Sequence, residues 1–227
     1  MSYAQTMYKT ADELNTAMGR VYMHMGFAVF VSMIVSYLVG TSPTLLEFFF
    51  TGLTKWVVIF SPLIFIFLVP ILLNSGIGFV GASLVLYAFS GVMGLSFATI
   101  FAVFTMGSIT TAFMGATVLF AVMSFYGYFT KQSLDSIGKY LFIALIAIVI
   151  ASIINLFIGS SLFQMVISAI AIVVFLGLTA YDTQQIRETL MEETDKGYVQ
   201  EISGALSLYL NFINIFLSLL QLFGDRK

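Results

Sequence analysis

The chain has 227 residues, of which 60% are hydrophobic, 9% are charged and none is cysteine, with a formal net charge of −2 and a mean hydropathy of +1.04. A soluble domain is nearer a quarter charged, so the composition excludes a soluble globular protein and points to an all-α polytopic membrane protein with the lipid bilayer as its first partner. Without cysteine there are no disulfides, thiolate chemistry or Cys-ligated metals, and without a basic, aromatic-interleaved patch there is no nucleic-acid partner.

Residues 1–17 are polar and mixed in charge. They lack the basic region, apolar core and small-residue cleavage site of a signal peptide and are expected to form a short cytoplasmic tail. The first apolar block runs from Val21 to Gly40 and ends at Thr41-Ser42-Pro43, a stop signal. A span needs ~20 residues, so this block is one helix. From Trp56 to Thr130 there is no charged side chain. That length suits three spans, with breaks at Asn74-Ser75-Gly76 and Met106-Gly107-Ser108. Tyr140 to Tyr181 is again uncharged and splits at Gly159-Ser160-Ser161 into two, and Ile202 to Gly224 supplies the last. The expectation is seven transmembrane helices in a single domain over residues 1–227, with Glu47 and Asp135 in loops.

An odd number of spans places the termini on opposite sides. With the N-terminus inside, Lys9, Arg20, Lys131, Lys139, Arg187 and Lys196 fall on the inner side and only Lys55, Arg226 and Lys227 on the outer. The bias favours a cytoplasmic N-terminus. The second span carries Pro62 and Pro70, which remove backbone donors and favour a kink; that kink is either a gate or ordinary membrane-helix packing. The third has Ser90, Gly94, Ala98 and Ala102 at four-residue spacing, and the fourth has Ala112 and Ala116. Such small-residue rows read as close helix packing. The stretch from Thr183 to Glu201 reads as the one long polar connection. Glu188, Glu192, Glu193, Asp195 and Glu201 outweigh Arg187 and Lys196 there, which makes it either a cation-concentrating mouth or a solvated loop or helix.

The chemistry concentrates in the last two spans. Asp182 is the single carboxylate at the end of an uncharged apolar run. An ionisable group at membrane depth is costly to bury and is a functional candidate by default; the plainer alternative is that Asp182 ends its helix at the water interface. The last span carries Gly204, Ser207, Asn211, Asn214, Ser218 and Gln221, alternately three and four residues apart, which places them on one helical face. In lipid such a face turns inward, so this helix is expected at the centre of the bundle. Its polar line, with Ser207, Asn214, Ser218 and Gln221 as pore-lining candidates, serves either a polar pathway or interhelical hydrogen bonding alone. With the N-terminus inside, Asp182 and Asn211 lie at similar depth and are able to meet.

Enzymatic chemistry finds little support. His24 is the only histidine and lies one turn after Arg20 at the inner boundary, so there is no zinc site and no deep serine–histidine pair. No second carboxylate lies within a span to complete an aspartyl-protease pair with Asp182, and no Gly-Lys phosphate loop occurs. No catalytic residue and no cofactor are expected.

Residues 100–113 (IFAVFTMGSITTAF), 124–141 (SFYGYFTKQSLDSIGKYL), 150–157 (IASIINLF), 180–186 (AYDTQQI) and 205–224 (ALSLYLNFINIFLSLLQLFG) form a set of motifs. Together they resemble the Bax-inhibitor family, the transmembrane Bax-inhibitor-motif proteins, in particular its bacterial branch. Tyr126-Gly127-Tyr128 with Thr130-Lys131 is specific in company with the last two. The resemblance implies a seven-helix fold with the last helix central, in the bacterial inner membrane. It implies a calcium leak gated by protonation of two aspartates, one from each of the last two spans, which titrate as a coupled unit. Asp182 matches the first and would be the carboxylate met by a permeant calcium ion; Asn211 stands where the second is expected and does not titrate. The arginine that holds this acid in some relatives has no counterpart inside the second span, where Lys55 lies at the outer end. The expectation is a pH-influenced passive leak for calcium or other cations, sensed at Asp182 and Asn211. The alternatives are a non-conducting regulator that binds another membrane protein such as a membrane protease, as the family also implies, and proton-coupled solute transport, for which no internal repeat is visible.

Overall fold

A computed structural model describes residues 10–192 and 197–227. Lys9 and Lys196, used above for orientation, and Glu193 and Asp195 of the acidic connection lie outside the described residues. Within them the chain forms nine helices: α1 (Ala11–Gly40), α2 (Pro43–Phe50), α3 (Thr54–Asn74), α4 (Gly78–Phe97), α5 (Ile100–Val103), α6 (Met106–Phe129), α7 (Asp135–Ile158), α8 (Ser161–Met191) and α9 (Gly197–Phe223). Seven stretches are long and apolar enough to cross a membrane: α1, α3, α4 with α5, α6, α7, α8 and α9. The protein is therefore an all-α polytopic membrane protein with the seven expected spans. Large apolar side chains such as Phe67, Leu156 and Phe157 point outward, as a lipid-facing surface requires.

Helix ends follow capping chemistry rather than the edges of the apolar blocks. α1 begins well before Val21 because Thr10 opens it with a capping box: Thr10 Oγ1 accepts from the Glu13 N–H at 3.3 Å and the Glu13 carboxylate accepts from the Thr10 N–H at 2.8 Å. The stop at Thr41–Pro43 is also a start, with Ser42 capping α2 and Pro43 in its first turn. Thr105 caps α6 by accepting from the Ser108 N–H at 3.2 Å, so the break falls at Phe104–Thr105, just before Met106-Gly107-Ser108. Gly159, with φ +67°, separates α7 from α8 as expected.

One expectation is corrected and two open readings are narrowed. Glu47 lies inside α2 and Asp135 is the first residue of α7, not in loops. The polar stretch 183–201 is mostly helix, because α8 continues to Met191 and α9 begins at Gly197; its Gln, Glu and Arg residues are good helix formers and extend a span beyond the hydrocarbon. Asp182 consequently sits inside α8 rather than at its end.

The structure divides into two compact units. Unit 1 comprises Met1–Val103 with Ile186–Tyr209, and unit 2 comprises Phe104–Gln185 with Leu210–Lys227, so α8 and α9 contribute a segment to each.

In unit 1, α1 and α4 meet backbone to backbone. A Cβ on Gly94 would lie 2.6 Å from the Ser32 carbonyl oxygen, and one on Gly40 would lie 2.8 Å from the Phe101 ring and closer still to the Ala98 carbonyl. The small row therefore packs as read through Ser90, Gly94 and Ala98. Ala102 is exposed, since the helix breaks after Phe97 and α5 starts a new register. Ser32 Oγ donates to the Ser90 carbonyl at 2.8 Å and pairs with the Tyr209 hydroxyl at 2.7 Å. α3 runs unbroken through both prolines. Pro62 cannot donate to the Val58 carbonyl, and Ser96 Oγ from α4 donates to it instead at 2.9 Å, with Ser61 Oγ at 3.1 Å. The vacated backbone acceptor is thus used as a helix–helix contact.

In unit 2, α6 and α8 approach so closely that a Cβ on Gly127 would lie 2.8 Å from the Ala180 Cα and carbonyl carbon. Gly138 faces the Tyr181 ring and Gly177 faces Leu141. Phe113 and Phe120 of α6 set edge-to-face contacts on Phe212 of α9. After α9 the tail returns to α6: the Thr105 N–H donates to the Asp225 carbonyl at 3.1 Å and the Asp225 N–H to Ser108 Oγ at 2.9 Å. Of the seven spans α9 is the most buried, at 56% of its most apolar window, against 6% for α7.

Candidate functional site

The site is built where α8 and α9 pass each other within unit 2. Two close contacts fix the α8 backbone just before Asp182, namely Gly127 of α6 on Ala180 and Gly138 of α7 on Tyr181. Two fix it just after. Thr183 Oγ1 lies 3.0 Å from Ser124 Oγ and donates to the Thr179 carbonyl at 2.7 Å. Gln184 clamps the α6–α7 connection, accepting from the Leu134 N–H at 2.8 Å and donating to the Gln132 carbonyl at 2.9 Å. Gln185 reaches Asp135 at 2.6 Å. The AYDTQ sequence is therefore a positioning device, in which every residue around the carboxylate is held by α6, α7 or their connection.

On α9, Phe212 is gripped by Phe113 and Phe120, which orients the preceding Asn211. Asn211 Nδ2 donates to Asp182 Oδ2 at 2.7 Å. Asn211 is buried and Asp182 half-buried, so the pair meets as depth in the sequence suggested. An amide can donate to a carboxylate but cannot share a proton with it. Among the described residues no three His, Cys, Asp or Glu side chains converge. A lone carboxylate does not build the six to eight oxygen ligands that calcium takes up in a resident site.

The remaining polar positions of α9 have settings of their own. Gly204 and Ser207 belong to unit 1, where Gly204 packs on Ile186. Asn214, half-buried, donates back to the Leu210 carbonyl at 2.8 Å, within its own helix. Ser218 is buried, and Gln221 is exposed at the end of α9, where it accepts from Arg226 at 3.4 Å.

Three features carry no mark in the sequence. Glu201, counted above among the charges of an acidic mouth, is 4% exposed and paired with Arg20, whose Nε donates at 2.8 Å and Nη2 at 2.5 Å. Its charge is spent on an ion pair inside unit 1. His24 Nδ1 lies 2.6 Å from the Tyr87 hydroxyl. Tyr209 is wholly buried, with its hydroxyl on Ser32. Of the three, only Tyr209 lies in a family-like stretch, residues 205–224, and nothing in that stretch names its partner.

Comparison with known proteins places these residues in context. A family profile described as "Inhibitor of apoptosis-promoting Bax1" matches residues 14–227. The chain is 35% identical over 222 residues to the inner membrane protein YbhL of Escherichia coli strain K12, covering 94% of this chain and 93% of that protein. It is 32% identical over 228 residues to an uncharacterized protein of Deinococcus radiodurans, covering 98% and 96%. It is 35% identical over 224 residues to the uncharacterized protein YrjE of Lactococcus lactis, covering 94% and 92%.

Proposed function

The chain belongs to the Bax-inhibitor family of membrane proteins, and from that premise we propose that it is a passive leak pathway for cations, calcium foremost, whose opening depends on Asp182 held against Asn211. It is a multi-pass protein of the bacterial inner membrane. The observation that supports the leak is the 2.7 Å hydrogen bond from Asn211 Nδ2 to Asp182 Oδ2. It ties together the two helices that carry the family's acidic positions, and breaking it frees the carboxylate to meet an ion. With an asparagine as partner, Asp182 titrates alone, so the response to pH is shallower than that of two coupled carboxylates. The N-terminus is assigned to the cytoplasm on the distribution of Lys and Arg. Calcium is the permeant ion; no cofactor and no catalytic step are part of the proposal.

Calcium entry into dye-loaded liposomes that contain only the purified protein tests it. Entry that changes by about tenfold or more in Asp182→Asn is expected for a gate that rests on one charge-assisted hydrogen bond. A second reading is favoured by the same asparagine: a chain that has lost one of two gating acids suits a non-conducting regulator of another membrane protein, such as a membrane protease. That reading expects no entry and a partner that co-purifies from the native membrane.

A further inference from the structure

His24 is the only histidine and belongs to unit 1, whereas Asp182 and Asn211 belong to unit 2. It is 4% exposed. Its ring is fixed by an edge contact with Phe79 at 5.5 Å and a stack on Tyr87 at 6.0 Å. Nδ1 is served by the Tyr87 hydroxyl at 2.6 Å. Nε2 is buried and has no partner, and the same is true of Ser83 Oγ. Ser83 stands one turn from Phe79 and one turn from Tyr87 on α4, so it belongs to the face of α4 that the imidazole touches. One unserved polar atom is therefore on the imidazole of α1 and another on the face of α4 that carries Phe79 and Tyr87.

A buried polar atom without a partner costs ~1–3 kcal/mol and calls for a reason. A neutral imidazole offers one N–H and one lone pair. Tyr87 can meet Nδ1 in either tautomer, as donor or as acceptor, and in both Nε2 is left over. Protonation changes the inventory: both nitrogens become donors, Tyr87 accepts at Nδ1, and Ser83 Oγ is the unpartnered acceptor on the facing helix. The surrounding charge also responds. The charged groups that act on the ring are Arg20, one turn earlier on its own helix, and Glu201 on α9, with the titratable Tyr87 of α4 bonded to Nδ1. A positive imidazole attracts Glu201 and repels Arg20. Arg20, with 42% of its side chain exposed, is free to turn toward water, whereas Glu201, at 6%, stays.

We propose that His24 is a proton-binding site, separate from Asp182, whose occupation shifts Glu201 from sole pairing with Arg20 to shared pairing with the imidazolium. The site makes unit 1 responsive to pH on the side of the membrane where α1 begins. It stands whether or not the chain conducts ions.

A single histidine makes the test direct. Protein labelled with ¹³C and ¹⁵N in histidine only, held in nanodiscs, gives one set of imidazole signals. These are followed from about pH 5 to about pH 8 and are expected to change as the ring takes up a proton. The midpoint should move by about half a pH unit or more in Glu201→Gln, since a charge at that range acts on this scale, and the Nδ1 shift should change in Tyr87→Phe. Both variants keep the histidine, so neither relies on a fold that lacks it. Thermal unfolding followed against pH gives a second readout: across the same interval the wild-type profile should change slope more than that of His24→Gln, which keeps Asp182. A ring that keeps one protonation state across that range, or a titration identical in wild type, Glu201→Gln and Tyr87→Phe, would overturn the proposal.

Discussion

Gly127→Ala adds one methyl group at the tightest point of unit 2. A Cβ there would sit 2.8 Å from the Ala180 Cα and carbonyl carbon, where unstrained carbon atoms keep ~3.5–4.0 Å. α6 and α8 must then part by about 1 Å, and the obstacle is backbone, which cannot rotate away. Overpacking of this kind costs ~1–3 kcal/mol. Gly26→Ala is the control: nothing lies within 4 Å of its added Cβ, and Ala in place of Gly inside a helix is neutral or stabilising by up to ~1 kcal/mol. The two identical substitutions should therefore move stability in opposite directions, by roughly 2–4 °C in Tm per kcal/mol for a chain of this size. Thermal unfolding in detergent, read by the onset of aggregation, measures both. Equal Tm for Gly127→Ala and Gly26→Ala would refute the close contact. Ala180 lies on α8 just ahead of Asp182, so Gly127→Ala should also displace the carboxylate and change Asp182-dependent calcium entry.

Other substitutions separate the remaining contacts. Ser96→Ala removes the α4 donor that serves the Val58 carbonyl left open by Pro62 and should lower stability by ~0.5–1.5 kcal/mol; in a Pro62→Ala background the same change should have little effect, because the helix then serves that carbonyl itself. Tyr209→Phe strips the hydroxyl from a buried pair with Ser32 and should cost about 1 kcal/mol, whereas Tyr37→Phe, on an exposed ring, should be silent in the same unfolding assay. Arg20→Gln, which strands the buried Glu201 carboxylate, should destabilise more than Glu201→Gln, which leaves Arg20 with access to water; equal losses would mean that the carboxylate is better solvated than its burial indicates.

The spans were legible because charge-free runs of the right length leave little choice in lipid. The Asp182–Asn211 contact was legible because similar depth allows those two side chains to meet and the family resemblance implies that they do, and the Ser90–Gly94–Ala98 row because small residues at helical spacing imply close approach. Partner choice across distant segments was not legible. Glu201 read as a mouth charge, since nothing local to it marks Arg20 as its mate. Helix ends were misplaced where capping side chains such as Thr10 and Thr105 decide, or where α8 carries good helix formers past Tyr181. Ala102 fell off its row because a helix break resets the register, a feature that no glycine or proline announces there. Asn214 and Gln221 share the spacing of Asn211 without sharing its partners, since spacing assigns a face and packing assigns the neighbour.

The central claim is that Asp182, held by Asn211, gates a cation leak. The most direct measurement is calcium entry into dye-loaded liposomes for wild type, Asp182→Asn and Asn211→Asp, at about pH 6 and about pH 8, bracketing the range in which paired carboxylates exchange a shared proton. The account predicts entry that changes in Asp182→Asn, and a pH dependence that is steeper in Asn211→Asp than in wild type because a second acid restores the coupling. No entry for any of the three, from protein shown to be folded, would contradict it and turn attention to a partner protein in the membrane.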